Sequence, residues 1–98
     1  MARKVVVQYK VKADRIEEHE ALIRDVFSEL ARAAPDGIRY GAFKRADGVS
    51  FVHIAFVGAE KNPLDSLPAF QRFAERIKER CEVPPEVSEL TEVGAFGF

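Results

Sequence analysis

The segment Phe51-Val52-His53-Ile54-Ala55-Phe56-Val57 constrains the fold more than any other part of this chain. In a strand, alternate side chains point to opposite faces. Val52, Ile54 and Phe56 then form one face, and Phe51, His53, Ala55 and Val57 the other. Both faces are apolar, whereas a sheet with one wet side alternates apolar and polar residues. The segment is therefore expected to be a strand covered on both sides, with a histidine set into an apolar face. An apolar face left open on so small a chain marks an interaction surface.

The flanking sequence supplies the partners. Val5 to Val11 is β-branched and alternating, with Val5, Val7, Tyr9 and Val11 on one face and Val6, Gln8 and Lys10 on the other. Asp14 and Glu17 have the spacing of a capping box. Ile16, Ile23, Val26, Phe27, Leu30 and Ala34 then recur at helical spacing until Pro35-Asp36-Gly37 stops the helix. A second strand spans about Ile38 to Arg45, and Asp47-Gly48 suits a tight hairpin turn into the opening segment. Asp65 or Ser66 is placed to cap a second helix, buried along Leu67, Phe70, Phe73, Ala74, Ile77 and Cys81. Lys78 and Arg80 suit its C-terminal dipole. Pro84-Pro85 bars its continuation, and Val87 to Phe96 reads as a last strand.

The order βαββαβ predicts an α+β, ferredoxin-like domain spanning residues 1–98, a four-stranded antiparallel sheet with two helices on one face. Strands one and three are central. The balance of 15 basic against 16 acidic residues, a net charge of −1, offers no general attraction to nucleic acid or anionic membrane. One cysteine, Cys81, excludes an internal disulfide and a cysteine-based metal cluster. The start Met1-Ala2-Arg3-Lys4-Val5 has no apolar region long enough for a signal peptide, and no segment has the roughly 18 apolar residues of a membrane span. A cytoplasmic protein is expected.

Val5-Val6-Val7-Gln8-Tyr9-Lys10-Val11-Lys12 before the acidic opening of helix one, Pro35-Asp36-Gly37-Ile38-Arg39-Tyr40, Phe51-Val52-His53-Ile54-Ala55-Phe56, and Leu67-Pro68-Ala69-Phe70-Gln71-Arg72-Phe73 together resemble the antibiotic biosynthesis monooxygenase-like family. This is a group of the dimeric α+β barrel superfamily, and the resemblance covers nearly the whole chain. It implies a homodimer in which two sheets pack face to face and cover the open apolar face. The apolar tail, Val93 to Phe98, is expected to dock, with the partner as one surface for it. The resemblance also implies a small apolar or aromatic ligand in a cleft, and cofactor-independent oxygenation of a small aromatic or enolisable metabolite. Tryptophan, used by some members, is absent here, and the second helix lacks the histidine of haem-degrading members. No metal, nucleotide or flavin is expected, since phosphate loops, metal-ligand spacings and nucleophile elbows are all missing.

His53 is the first candidate for catalysis, because an imidazole of ordinary pKa suits a base that deprotonates a phenol or enol. The competing expectation is a structural histidine with a buried hydrogen-bond partner. Its strand face is expected to turn towards the barrel side. Arg39 is a candidate for binding a carboxylate or enolate, and Tyr40 for donating a hydrogen bond. Gln8 and Phe51 are candidates for lining the substrate site. Phe70 and Phe73 read as core, His19 as a solvated or boundary residue among Glu17, Glu18 and Glu20, and Cys81 as inert.

Three other classes share this pattern. RNA-recognition domains have the same element order, but here Asp47, Val49 and Ile54 replace the basic residue and two of the aromatics that would stack bases. A dimer that binds or senses an apolar metabolite without turnover, or an isomerase or decarboxylase of the same superfamily, would have much the same sequence.

Overall fold

The computed structural model describes residues 3–97. Met1, Ala2 and Phe98, which the expectations on the chain start and the apolar tail include, lie outside the described residues. Four strands, β1 (Arg3–Val11), β2 (Ile38–Lys44), β3 (Ser50–Val57) and β4 (Cys81–Glu89), form one antiparallel sheet in the order β2-β3-β1-β4. β1 and β3 are thus central, as the element order requires. The described residues also form helix α1 (Ile16–Ala33), two shorter helices, α2 (Pro68–Ala74) and α3 (Ile77–Arg80), and 3-10 turns at Ala13–Arg15 and Pro63–Ser66.

Register decides which face is which. Directly opposed residues share a face, and Val7 pairs with His53, Tyr9 with Phe51, and Tyr40 with Ala55. The face bearing Tyr9, Val11, Phe51 and Val57 joins Val26, Ala69 and Phe73 in the core beneath the helices. His53 belongs to this face, not to the barrel side expected for it. The opposite face, with Val6, Val52, Ile54 and Phe56 only partly buried, carries Gln8 and Phe43 exposed to solvent. Phe43 lays its ring over Gly41, where a β-carbon would come within 2.9 Å of it.

Local structure departs from the sequence expectations at five places. Asp14 does not cap α1; it lies in a 3-10 turn, Ala13–Arg15, that leads into the helix. The β2–β3 hairpin has a longer loop than a two-residue turn. In it Asp47 accepts from the amides of Val49 (3.0 Å) and Ser50 (2.8 Å) and from the Ser50 hydroxyl (2.6 Å), which hold its carboxyl down at about 2. Neither Asp65 nor Ser66 caps α2, whose N-cap is Leu67 with Pro68 as the first helical residue. The second helix breaks after Ala74, with Arg76 in the left-handed region (φ 60°). The last strand begins at Cys81 and takes in Pro84 and Pro85, with register shifts against β1 on either side of Lys10. It stops at Glu89, and Val93 and Phe96 beyond it stand 99% and 98% exposed. The two adjacent prolines are tolerated because β4 is an edge strand, where one of their nitrogens faces outward, and because the register shift between Gln8 and Lys10 breaks the ladder at the other.

Gly37 enters β2 at φ 81°, and its carbonyl accepts from the amide of Gly58 (2.8 Å). A β-carbon there would lie 2.8 Å from that of Ala59. Gly37→Ala should cost about 2 kcal/mol through strain and contact together, read as a lowered midpoint in urea unfolding; an unchanged midpoint would contradict this placement.

Candidate functional site

The polar groups of the core form one chain. The Tyr9 hydroxyl, on β1, lies 2.6 Å from Nε2 of His19 on α1 and 2.6 Å from Nε2 of His53 on β3. His53 Nδ1 lies 2.5 Å from the Tyr40 hydroxyl on β2. At the other end Arg80 Nε donates to His19 Nδ1 at 3.1 Å. Arg80, His19, Tyr9, His53 and Tyr40 are therefore linked in series across three strands and two helices. The rings also pack on one another: Tyr9 stacks on Phe51, His53 on Phe73, and Tyr40 on Phe27.

Burial of a guanidinium needs compensation. Arg80 is 2% exposed. Its remaining donors reach the carbonyls of Phe73 and Glu75, and its charge sits over the Phe73 ring. Those carbonyls are free because the helix breaks at this point; a continuous helix would have used them. The break and the buried arginine explain each other.

The chain of polar groups ends at a cavity of ≈ 360 Å³ between the sheet and the short helices. Val5, Val7, Ala55, Leu64, Phe70 and Ile77 give it apolar walls, and Tyr9, His53 and Tyr40 form its polar end. Such a shape, mostly apolar with a few convergent polar groups, suits a small flat molecule. Burial pushes both phenols well above their ordinary range, so both stay neutral at physiological pH. Burial likewise lowers both imidazoles to about 4, helped at His19 by the Arg80 charge and then by His53. Among the described residues no three histidine, cysteine or carboxylate side chains come together as a metal site requires.

Of the sequence candidates, the structure brings His53 and Tyr40 together at this cavity. Arg39 is exposed on the opposite face, near Lys4 and Phe56, and Gln8 is exposed on that same face beside Lys10 and Ser50. Neither reaches the cavity, because residues of their parity point away from the helices. Phe51 is buried against Tyr9 and His19 and lines no part of the cavity. Phe73 is core, and Phe70 is half-buried on the cavity wall. Cys81 is buried at the start of β4, and burial raises its thiol.

Three members of the polar chain are missed or misread in sequence. His19 is fully buried rather than solvated. Its position gives it away, since Ile16, His19, Ile23, Val26 and Leu30 keep one helical stripe. Arg80 stands seven residues after Phe73, again on the buried stripe. Tyr9 alternates with Val7 and Val11 and carries a hydroxyl that burial obliges to find a partner.

Comparison with solved structures establishes the fold. The chain superposes on Rv0793 from Mycobacterium tuberculosis with a TM-score of 0.76 at 20% identity, covering 97% of this chain and 98% of that one. On a structure described as an antibiotic biosynthesis monooxygenase it gives 0.70 at 24% identity, covering 96% and 100%. On a mutant form of SnoaB, a cofactor-independent oxygenase from Streptomyces nogalater, it gives 0.68 at 18% identity, covering 99% and 98%. No family model and no curated protein matches the sequence. The chain thus has the ferredoxin-like fold of antibiotic biosynthesis monooxygenase-like proteins, and the resemblance read in its sequence holds at that level.

The two histidines make stability depend on pH in a defined direction. Each is neutral when folded down to about pH 4, whereas the unfolded imidazole takes up a proton near 6.5. Stability is therefore full above pH 6.5 and is lost as pH falls towards 4, by on the order of 3 kcal/mol for either histidine. Urea midpoints measured from pH 7.5 to 4 should fall across that window. His53→Gln should flatten the fall, and an equally steep profile would exclude this origin.

Proposed function

We propose that the cavity binds a small aromatic or enolisable metabolite and that the protein is a cofactor-independent monooxygenase-like enzyme. The observation carrying this reading is the apolar cavity closed at one end by neutral, hydrogen-bonded hydroxyls. A ring system fits the walls, and its single oxygen meets the Tyr40 hydroxyl. Hydrogen bonding from a neutral phenol in a dry site stabilises an enolate or phenolate oxygen more than the neutral form. The electron-rich anion is itself the reductant of dioxygen. Conversion of a ring CH2 to C=O with one O2 yields one water, and atoms and electrons balance without another reductant. SnoaB, named as a cofactor-independent oxygenase, has the same fold, which supports this choice of chemistry.

Both ring nitrogens of His53 are already engaged, by Tyr9 and Tyr40. This favours a role for His53 in holding Tyr40 over direct abstraction of a substrate proton. It also favours the second reading, a protein that binds the metabolite without turning it over. An oxygen electrode with anthrone and dihydroxynaphthalenes separates the two. We expect one O2 consumed per anthrone, slowed on the order of 100-fold in Tyr40→Phe. Binding to wild type without oxygen uptake would select the second reading, and neither binding nor uptake for any such ring compound would overturn both.

We further propose that a second copy of this chain covers the open sheet face. Val6, Val52, Ile54 and Phe56 offer an apolar patch there, and the exposed Val93 and Phe96 add anchors along the tail. Light scattering should give twice the 11.0 kDa of one chain at micromolar concentration. Ile54→Lys should reduce it to one chain. A monomeric wild type would remove this part of the reading.

A further inference from the structure

We propose that Arg80 is a positioning residue that fixes the direction of the whole hydrogen-bonded chain, so that Tyr40 meets the cavity as a donor and the site selects ligands that present an acceptor oxygen. The proposal rests on the small-molecule reading of the cavity given above and adds its polarity.

A guanidinium donates and cannot accept. Its Nε–H points at His19 Nδ1, so that nitrogen carries a lone pair and no proton. The neutral ring then carries its proton on Nε2 and donates to the Tyr9 oxygen, 2.6 Å away. Tyr9 has one proton to give, and its hydroxyl has two partners among the described residues, His19 and His53. It donates to His53 Nε2. His53 in turn carries its proton on Nδ1 and donates to the Tyr40 oxygen. The Tyr40 O–H is left over, at the cavity wall.

One other arrangement satisfies Arg80. Tyr9 could accept from both imidazoles, with Tyr40 donating to His53 Nδ1 and showing the cavity a lone pair. That arrangement leaves the buried Tyr9 proton without an acceptor among the described residues, and an unsatisfied buried donor keeps the full cost of its desolvation. The serial arrangement leaves the unpartnered proton on Tyr40, half-buried at the cavity wall, instead of on the deeply buried Tyr9. The two histidines are consequently opposite tautomers, and the difference originates at Arg80, which does not itself line the cavity and bonds to His19 rather than to His53.

Two-bond ¹⁵N–¹H spectra of the imidazoles in the unliganded protein at pH 7 test this directly. The expected result is His19 protonated on Nε2 and His53 on Nδ1. His53 protonated on Nε2 in the wild type overturns the proposal, whether or not any variant folds. Arg80→Met removes the donor, and the His53 signal should then become a mixture of tautomers. Arg80→Lys, which keeps a donor, should restore the Nδ1 form. An unchanged pattern in Arg80→Met would also overturn it.

A ligand pair provides the second arm. 1-Tetralone, a two-ring ketone, should bind wild type about ten-fold more tightly than tetralin, its hydrocarbon counterpart, and Tyr40→Phe should abolish the difference. Equal affinities with the expected tautomers would overturn the selectivity. Failure of both probes to bind, with the expected tautomers in place, would count against the small-molecule reading while leaving the direction of the chain established.

Discussion

A positive charge enclosed beneath two helices is the constraint on which the rest of this structure depends. Arg80 is almost wholly enclosed, so its donors must be met from within the fold. Of its three nitrogens, Nη1 and Nη2 donate to carbonyls at the end of α2, which requires the second helix to stop there and restart after Arg76. The third is met by His19, which draws a histidine into the core face of α1. From that point the needs of each buried polar group are passed to the next, until the sequence of partners reaches the cavity. Packing and polarity are thus specified together: the same contacts that seat the helices on the sheet also decide which protons sit where.

Much of the fold was legible because its signals are local and periodic. Alternation in Val5–Val11, the apolar stripe of α1 and the Asp47-Gly48 hairpin yield the element order, and right-handed connections leave one topology. The face occupied by His53 was harder. Period two separates residues into sets without saying which set meets the helices. Pairing the two central strands resolves it, since His53 opposes Val7, whose set contains no Gln or Lys, whereas Val52 opposes Gln8. That register is fixed by tertiary contacts, and a one-residue slip would invert every assignment.

The candidate site was legible only in part, for a different reason. Tyr40 and His53 could be picked out as polar groups in apolar surroundings. Arg39 and Gln8 looked equally good, because a residue type that suits chemistry carries no information on which way it points. His19 was disguised by Glu17, Glu18 and Glu20, although the helical spacing placed it inside. Arg80 reads in sequence as a cation suited to the dipole at the end of its own helix. It does meet carbonyls at a helix end, those of α2, but from within the core, and the helix break that makes this arrangement available depends on the arginine itself. Such mutual dependence is not written in any short stretch of sequence.

Pro84 and Pro85 carry a consequence beyond the local irregularity of β4. Each lacks an amide proton, so this rim of the sheet has a gap in the row of donors that a further strand would need. Edge-to-edge growth, the route by which small β-proteins run on into fibres, is interrupted there. The same two residues that end the second helix's reach thus also deny this margin an unbroken ladder for a foreign strand.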